Sequence, residues 1–165
     1  MSSVSPDALP DCAHDLVDTI SNLLHAPGLG DGIQKVWFAG DYPFPIVNHL
    51  YPLASDRAQI TTTPKSGTFR NFGSKHTEAV DILVDAFRDG AELERWDITD
   101  LAAELVRMEE DDDLRILDKI IGMNAALFVG GAKGCGRTSS FTKQVIERRR
   151  DIDASPVRNV VEYFG

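Results

Sequence analysis

Apolar positions along this chain fall into helical and extended runs that alternate almost from end to end. Residues 11–25 set Ala13, Leu16, Val17, Ile20, Leu23 and Leu24 on one helical face, with Asp11 after Pro10 as an N-cap. Pro27-Gly28-Leu29-Gly30 ends that helix. The run Ile33–Phe38 is β-branched and aromatic, which predicts a strand, and the two prolines of 39–45 make the next stretch a loop. A short helix is expected over 46–53 and a second strand over 58–62. In 77–89 two periods compete. Val80, Ile82 and Val84 alternate as a strand would, whereas Ala79, Val80, Leu83, Val84 and Phe87 share a helical face. Helix is the better fit, capped at Thr77 and closed by Arg88 and Gly90.

Beyond Gly90 the pattern predicts a strand over 91–98, then a helix capped by Thr99 and carrying Leu101, Ala102, Leu105 and Val106. The acidic run 109–113 suits the start of a further helix, where carboxylates complement the macrodipole. Leu114, Leu117, Ile120 and Ile121 form its buried stripe, and Gly122 is expected to stop it. A strand at 125–129, a glycine-rich loop and a helix capped by Ser139 or Ser140 follow, the helix carrying Phe141, Val145 and Ile146 and ending in Arg148-Arg149-Arg150. The last strand is expected over 157–164. This alternation predicts one α/β domain over 1–165: a three-layer, largely parallel sheet of about five strands with helices on both faces. Ligands of such sheets bind outside the carboxyl ends of the strands, here the loops 39–45, 63–73, 97–99 and 130–140.

Composition narrows the function classes. An apolar fraction of 42% and a charged fraction of 26% are those of an ordinary globular domain. No apolar run is long enough for a membrane helix, and no secretory signal is visible at the start of the sequence. The net charge of −9 argues against bulk nucleic acid or anionic membrane as partner. The expected partner is a small anion, met by local positive charge at Lys65 and Arg70, at Lys133 and Arg137, or at Arg148-Arg149-Arg150, with homo-oligomerisation open. Cys12 and Cys135 lie far apart in sequence without metal-ligand neighbours, so unpaired thiols in a reducing cytoplasm are expected. The four histidines sit in unrelated surroundings, so no catalytic residue and no metal site is assigned. His49 is the one that follows a strand-end loop.

Two loops carry candidate chemistry. Gly131-Ala-Lys-Gly-Cys-Gly-Arg137-Thr138 is one residue from a P-loop, with arginine where lysine should reach the phosphates, and Glu162 is the acid within the last strand. With Gly130, this window is expected to hold phosphate by backbone N–H groups. The second loop offers hydroxyls at Thr63, Ser66 and Thr68, close backbone approach at Gly67, and charge at Lys65 and Arg70. Its sequence, Thr62-Thr-Pro-Lys-Ser-Gly-Thr-Phe-Arg-Asn71, resembles the phosphate loop of the flavodoxin-like NADPH-dependent FMN reductases, Gly-Ser-x-Arg-x-Gly-Ser-x-Asn-Arg. Thr63 and Thr68 stand for the family's serines, Lys65 for its arginine, and Gly67 matches, while Arg70-Asn71 appear in swapped order. The resemblance extends over about residues 57–150 and includes the helix and strand leading to Val129. It implies FMN as cofactor and an oxidoreductase activity. Gly130, Gly131 and Ala132 stand where that family places a proline and an aromatic against the flavin. Two other readings are a structural or partner-binding protein on an α/β scaffold, and a degenerate P-loop nucleotide-binding protein.

Overall fold

A computed structural model describes residues 6–40, 46, 73–100, 115–131, 135, 140–152 and 159–160. After a 3₁₀ turn at Pro6–Ala8 come α1 (Leu9–His25), β1 (Lys35–Phe38), α2 (Ser74–Asp85), β2 (Asp97–Asp100), α3 (Arg115–Asn124), β3 (Phe128–Val129), α4 (Ser140–Ile152) and β4 (Asn159–Val160). The class is mixed α/β. Among the described residues the strands form two parallel pairs rather than one wide sheet. Lys35 to Phe38 register with Asp97 to Asp100, and Phe128 and Val129 register with Asn159 and Val160. In each pair a helix lies between the two strands in sequence, as parallel pairing requires. The expected strand at 58–62 and the expected helices at 46–53 and 101–106 lie outside the described residues, apart from Ile46.

The N-terminal half is built on one apolar cluster. Val17, Ile20 and Leu24 of α1 meet Val80, Leu83 and Val84 of α2, together with Phe87, Leu93, Trp96, Ile98 and Ile46. The helical face read for α1 is thus the face it buries. Pro10 stands in its first turn, where the missing N–H removes no intrahelical bond. The helix starts at Leu9, so Asp11 lies inside it and is not the cap. For 74–85 helix wins over strand, but Gly73 rather than Thr77 is the N-cap. His76 supplies the reason: its Nδ1 accepts the Gly73 N–H at 3.1 Å, which secures the chain three residues earlier.

The expected strand at 91–98 is replaced by turns as far as Trp96. Gly90 has φ 81°, and Leu93 N–H donates to Ala86 O at 2.8 Å, curling the chain back on the end of α2. That curl buries both Leu93 and Trp96 in the core, whereas extended alternation would have put them on opposite sheet faces. Pairing begins only at Asp97, and Thr99 is a buried strand residue rather than a helix cap.

In the C-terminal half Gly122 does not stop its helix. α3 continues to Asn124, and a Cβ at Gly122 would stand 3.4 Å from Val145 Cγ1 and 3.5 Å from Phe128 Cε2. These are ordinary contact distances, so Gly122 is a packed position inside the helix, facing α4 and β3, rather than its end. Ile120, expected in the buried stripe, is 48% exposed. The three arginines also divide: Arg148 and Arg150 face solvent, while Arg149 is buried and its guanidinium donates to Gly122 O at 2.8 Å and Ala125 O at 2.7 Å. These are carbonyls at the end of α3, which has no further turn of its own to bond them. Arg149→Met should leave a buried acceptor at Gly122 O and a part-buried one at Ala125 O without this donor, and lower stability by about 2 kcal/mol. A urea midpoint unchanged from the parent's would refute that assignment.

One covalent bond reverses a sequence expectation. Cys12 and Cys135, 123 residues apart, form a disulfide with Cα atoms 5.5 Å apart. Neither is a free thiol. Distance along the chain is no guide here, because the fold brings the β3–α4 connection beside the first turn of α1. The expectation of a reducing compartment rested on unpaired cysteines and loses that ground. A second link between the halves is the Trp37 indole N–H, which donates to the buried Asp118 carboxylate at 2.8 Å.

Candidate functional site at the strand carboxyl ends

The parallel register fixes where a ligand would sit. β1 and β2 run the same way and finish together at Phe38 and Asp100, so the segments after both strands leave from one edge. Asp100 is 3% exposed, and its Oδ2 accepts the Ile46 N–H at 3.2 Å. Ile46 itself is fully buried. A charged carboxylate in such a place demands donors, and this one draws in the backbone that follows β1. Asp100 was not read as a site residue from the sequence, and 97–99, expected as a ligand loop, is the strand β2 itself. The signal was available: an acidic residue closing a short β-capable run is placed by a parallel sheet at its ligand edge.

Of the sequence-derived site residues, Gly130 and Gly131 are described. They follow β3 directly, both half-buried, and Gly131 has φ 124°, a conformation that side chains rarely adopt. The structure thus places two glycines, one of them at positive φ, at the carboxyl end of β3, four residues ahead of the disulfide-bonded Cys135. Thr63, Lys65, Ser66, Gly67, Thr68, Arg70, Arg137, Thr138 and His49 lie outside the described residues. α4 begins at Ser140 and runs 13 residues, so Ser140 lies inside the helix rather than capping it, and Ser139, the other expected cap, lies outside the described residues.

A serine, a histidine and a glutamate also meet, away from this edge. Ser21 Oγ donates to Glu92 Oε1, and His25 Nδ1 is 3.3 Å from Ser21 Oγ and 2.9 Å from Ser21 O. Chemistry decides against a catalytic triad. The carbonyl can only accept, so Nδ1 carries the proton and cannot take one from the serine, and the carboxylate engages the serine rather than orienting the imidazole. The His25 ring stands edge-on to Trp96 with centroids 5.1 Å apart, and the Trp96 N–H donates to Ile33 O at 3.0 Å. The group clamps the end of α1 to the turns before β2.

Among the described residues no three His, Cys, Asp or Glu side chains gather as metal ligands, and no helix is long and apolar enough to cross a membrane. Fold and edge together define a mixed α/β protein with parallel strands. No family model matches the chain, and comparison with curated proteins and with solved structures gives no match.

Proposed function

We propose that the carboxyl edge of the strands binds a small phosphate-bearing molecule, with FMN in a redox reaction as the specific candidate. The observation that carries the reading is the glycine pair Gly130-Gly131, with Gly131 at positive φ, at the end of β3 in a fold whose strand pairs are parallel. In this reading the two strand pairs belong to one three-layer sheet of about five strands, completed by residues outside those described. Backbone N–H groups near Gly130 and Gly131 hold phosphate oxygens, with Arg137 and Thr138 adding charge and a hydroxyl. The loop carrying Thr63, Lys65, Ser66, Gly67, Thr68 and Arg70 supplies further hydroxyls and charge to the same group. Asp100 holds the segment after β1 in place. The resemblance to FMN reductases supplies the flavin, and a cytoplasmic site of action goes with that chemistry.

Thermal unfolding with added FMN, and separately with inorganic phosphate, tests this reading. A ligand at 100 times its Kd adds about 2.7 kcal/mol, which raises Tm by roughly 8 °C in a chain of this size. A paired Lys65→Ala, Arg70→Ala variant should lose most of the shift. A response to phosphate without one to FMN removes the flavin and keeps the anion site. No shift with either sinks the proposal and favours the scaffold reading, particularly if the protein runs as a defined oligomer. A shift with ATP that Arg137→Ala abolishes would select the degenerate P-loop instead.

A further inference from the structure

We infer that the Cys12–Cys135 disulfide is a redox latch, opened by a small or protein dithiol, that sets how firmly the β3–α4 connection is held to α1. The inference goes beyond the proposed ligand and does not require one.

Three observations meet in this bond. It joins the two halves of the fold across 123 residues, from the first turn of α1 to the segment between the Gly130-Gly131 pair and α4. Both cysteines are half-buried rather than enclosed, so a thiolate can approach. The halves also have packing of their own. α1 lies on α2 around one apolar cluster, and α3 lies on α4 with Arg149 bonded to the end of α3. Opening the bond therefore removes a tie between two supported units and leaves the interior of each intact.

The chemistry is ordinary thiol–disulfide exchange. One thiolate of the dithiol attacks Cys135 Sγ, the sulfur–sulfur bond breaks, and Cys12 leaves as thiolate. The dithiol's second thiolate then attacks its own sulfur in the mixed disulfide and expels Cys135. Two electrons pass to the protein disulfide, the dithiol becomes a cyclic disulfide, and the two cysteine thiolates take protons from solvent. A small disulfide such as oxidised glutathione supplies the reverse step, accepting the two electrons.

The test uses the full chain without ligand, oxidised and then treated with dithiothreitol under native conditions. Maleimide labelling read by intact mass counts free thiols, and hydrogen exchange reads each segment. Two labels should appear without denaturant while far-ultraviolet circular dichroism is kept. Exchange should rise over 128–131 and at the start of α4 by at least tenfold more than it rises over α2. Cys12→Ser should show the same pattern before any reductant is added, and oxidised glutathione should restore the closed pattern in the reduced parent but not in the variant. A bond that reacts only after denaturant is a structural staple, and the latch is refuted. Unchanged exchange on reduction refutes it equally, as does loss of structure throughout the chain.

Discussion

Replacing Gly30 by alanine should destabilise the protein by about 3 kcal/mol, one of the two largest losses expected of any single change here. A Cβ on Gly30 would fall 1.8 Å from Leu24 O, 2.5 Å from Leu24 C and 2.8 Å from Leu24 Cα. These are backbone atoms of α1, held within the helix, so no rotamer change can relieve the overlap. Relief requires the turn to move away, yet Gly30 N–H donates to Ala26 O at 3.4 Å and Ile33 N–H donates to Gly30 O at 3.1 Å. Moving the turn would shift Ile33 and with it the bond from Trp96. Gly28 is the internal control. Its φ of 74° disfavours alanine, but nothing lies within 4 Å of its Cβ position. Gly28→Ala should cost only about 1 kcal/mol, the penalty of the left-handed conformation. Chemical denaturation of both variants decides the matter, and equal losses at the two positions would show that the contact with Leu24 is not what makes Gly30 necessary.

Loss of the disulfide should cost roughly 4 kcal/mol. Cross-linking residues 123 apart removes much of the unfolded chain's freedom, and the chain-entropy estimate for so wide a loop is about 5 kcal/mol, of which proteins usually realise less. Cys135→Ser should accordingly lower Tm by roughly 10 °C. The size of the effect comes from the unfolded state, so it should appear even though few contacts are removed from the folded one. Adding dithiothreitol to the parent should bring its Tm to that of the variant, and adding it to the variant should change nothing. A variant as stable as the oxidised parent would mean that the unfolded chain was not constrained by the bond.

The residues explain why some elements were legible and others were not. α1 was readable because its apolar face repeats at helical spacing for the whole length of the helix, and β1 because Val36, Trp37 and Phe38 are residues that strands favour. Where the sequence misled, a three-dimensional partner had overridden a local rule. Gly122 looks like a helix stop, yet the helix runs through it to Asn124, with Val145 and Phe128 in contact distance of the position. Arg149 looks like its two solvated neighbours until the last carbonyls of α3 are found beneath it. Leu93 and Trp96 read as part of a strand because nothing local announces that the turn at Gly90 sends them back under α2. The disulfide was invisible for the same reason: pairing depends on which connection the fold carries to the first turn of α1. At the candidate site, the glycine pair after β3 could be read from composition, whereas Asp100 acquired its position only from the parallel register of β1 and β2.

The hydrogen bond from Trp37 to Asp118 gives the chain a built-in optical probe. The protein has two tryptophans, and they occupy different settings. Trp96 is sunk in the apolar cluster of the N-terminal half, while the indole of Trp37 reaches across to a carboxylate on α3. In Trp96→Phe protein, emission would come from Trp37 alone and would follow the contact between halves; in Trp37→Phe protein it would follow the interior of one half. Separation of the halves and melting of the N-terminal core could then be timed as two distinct events, without attaching any label.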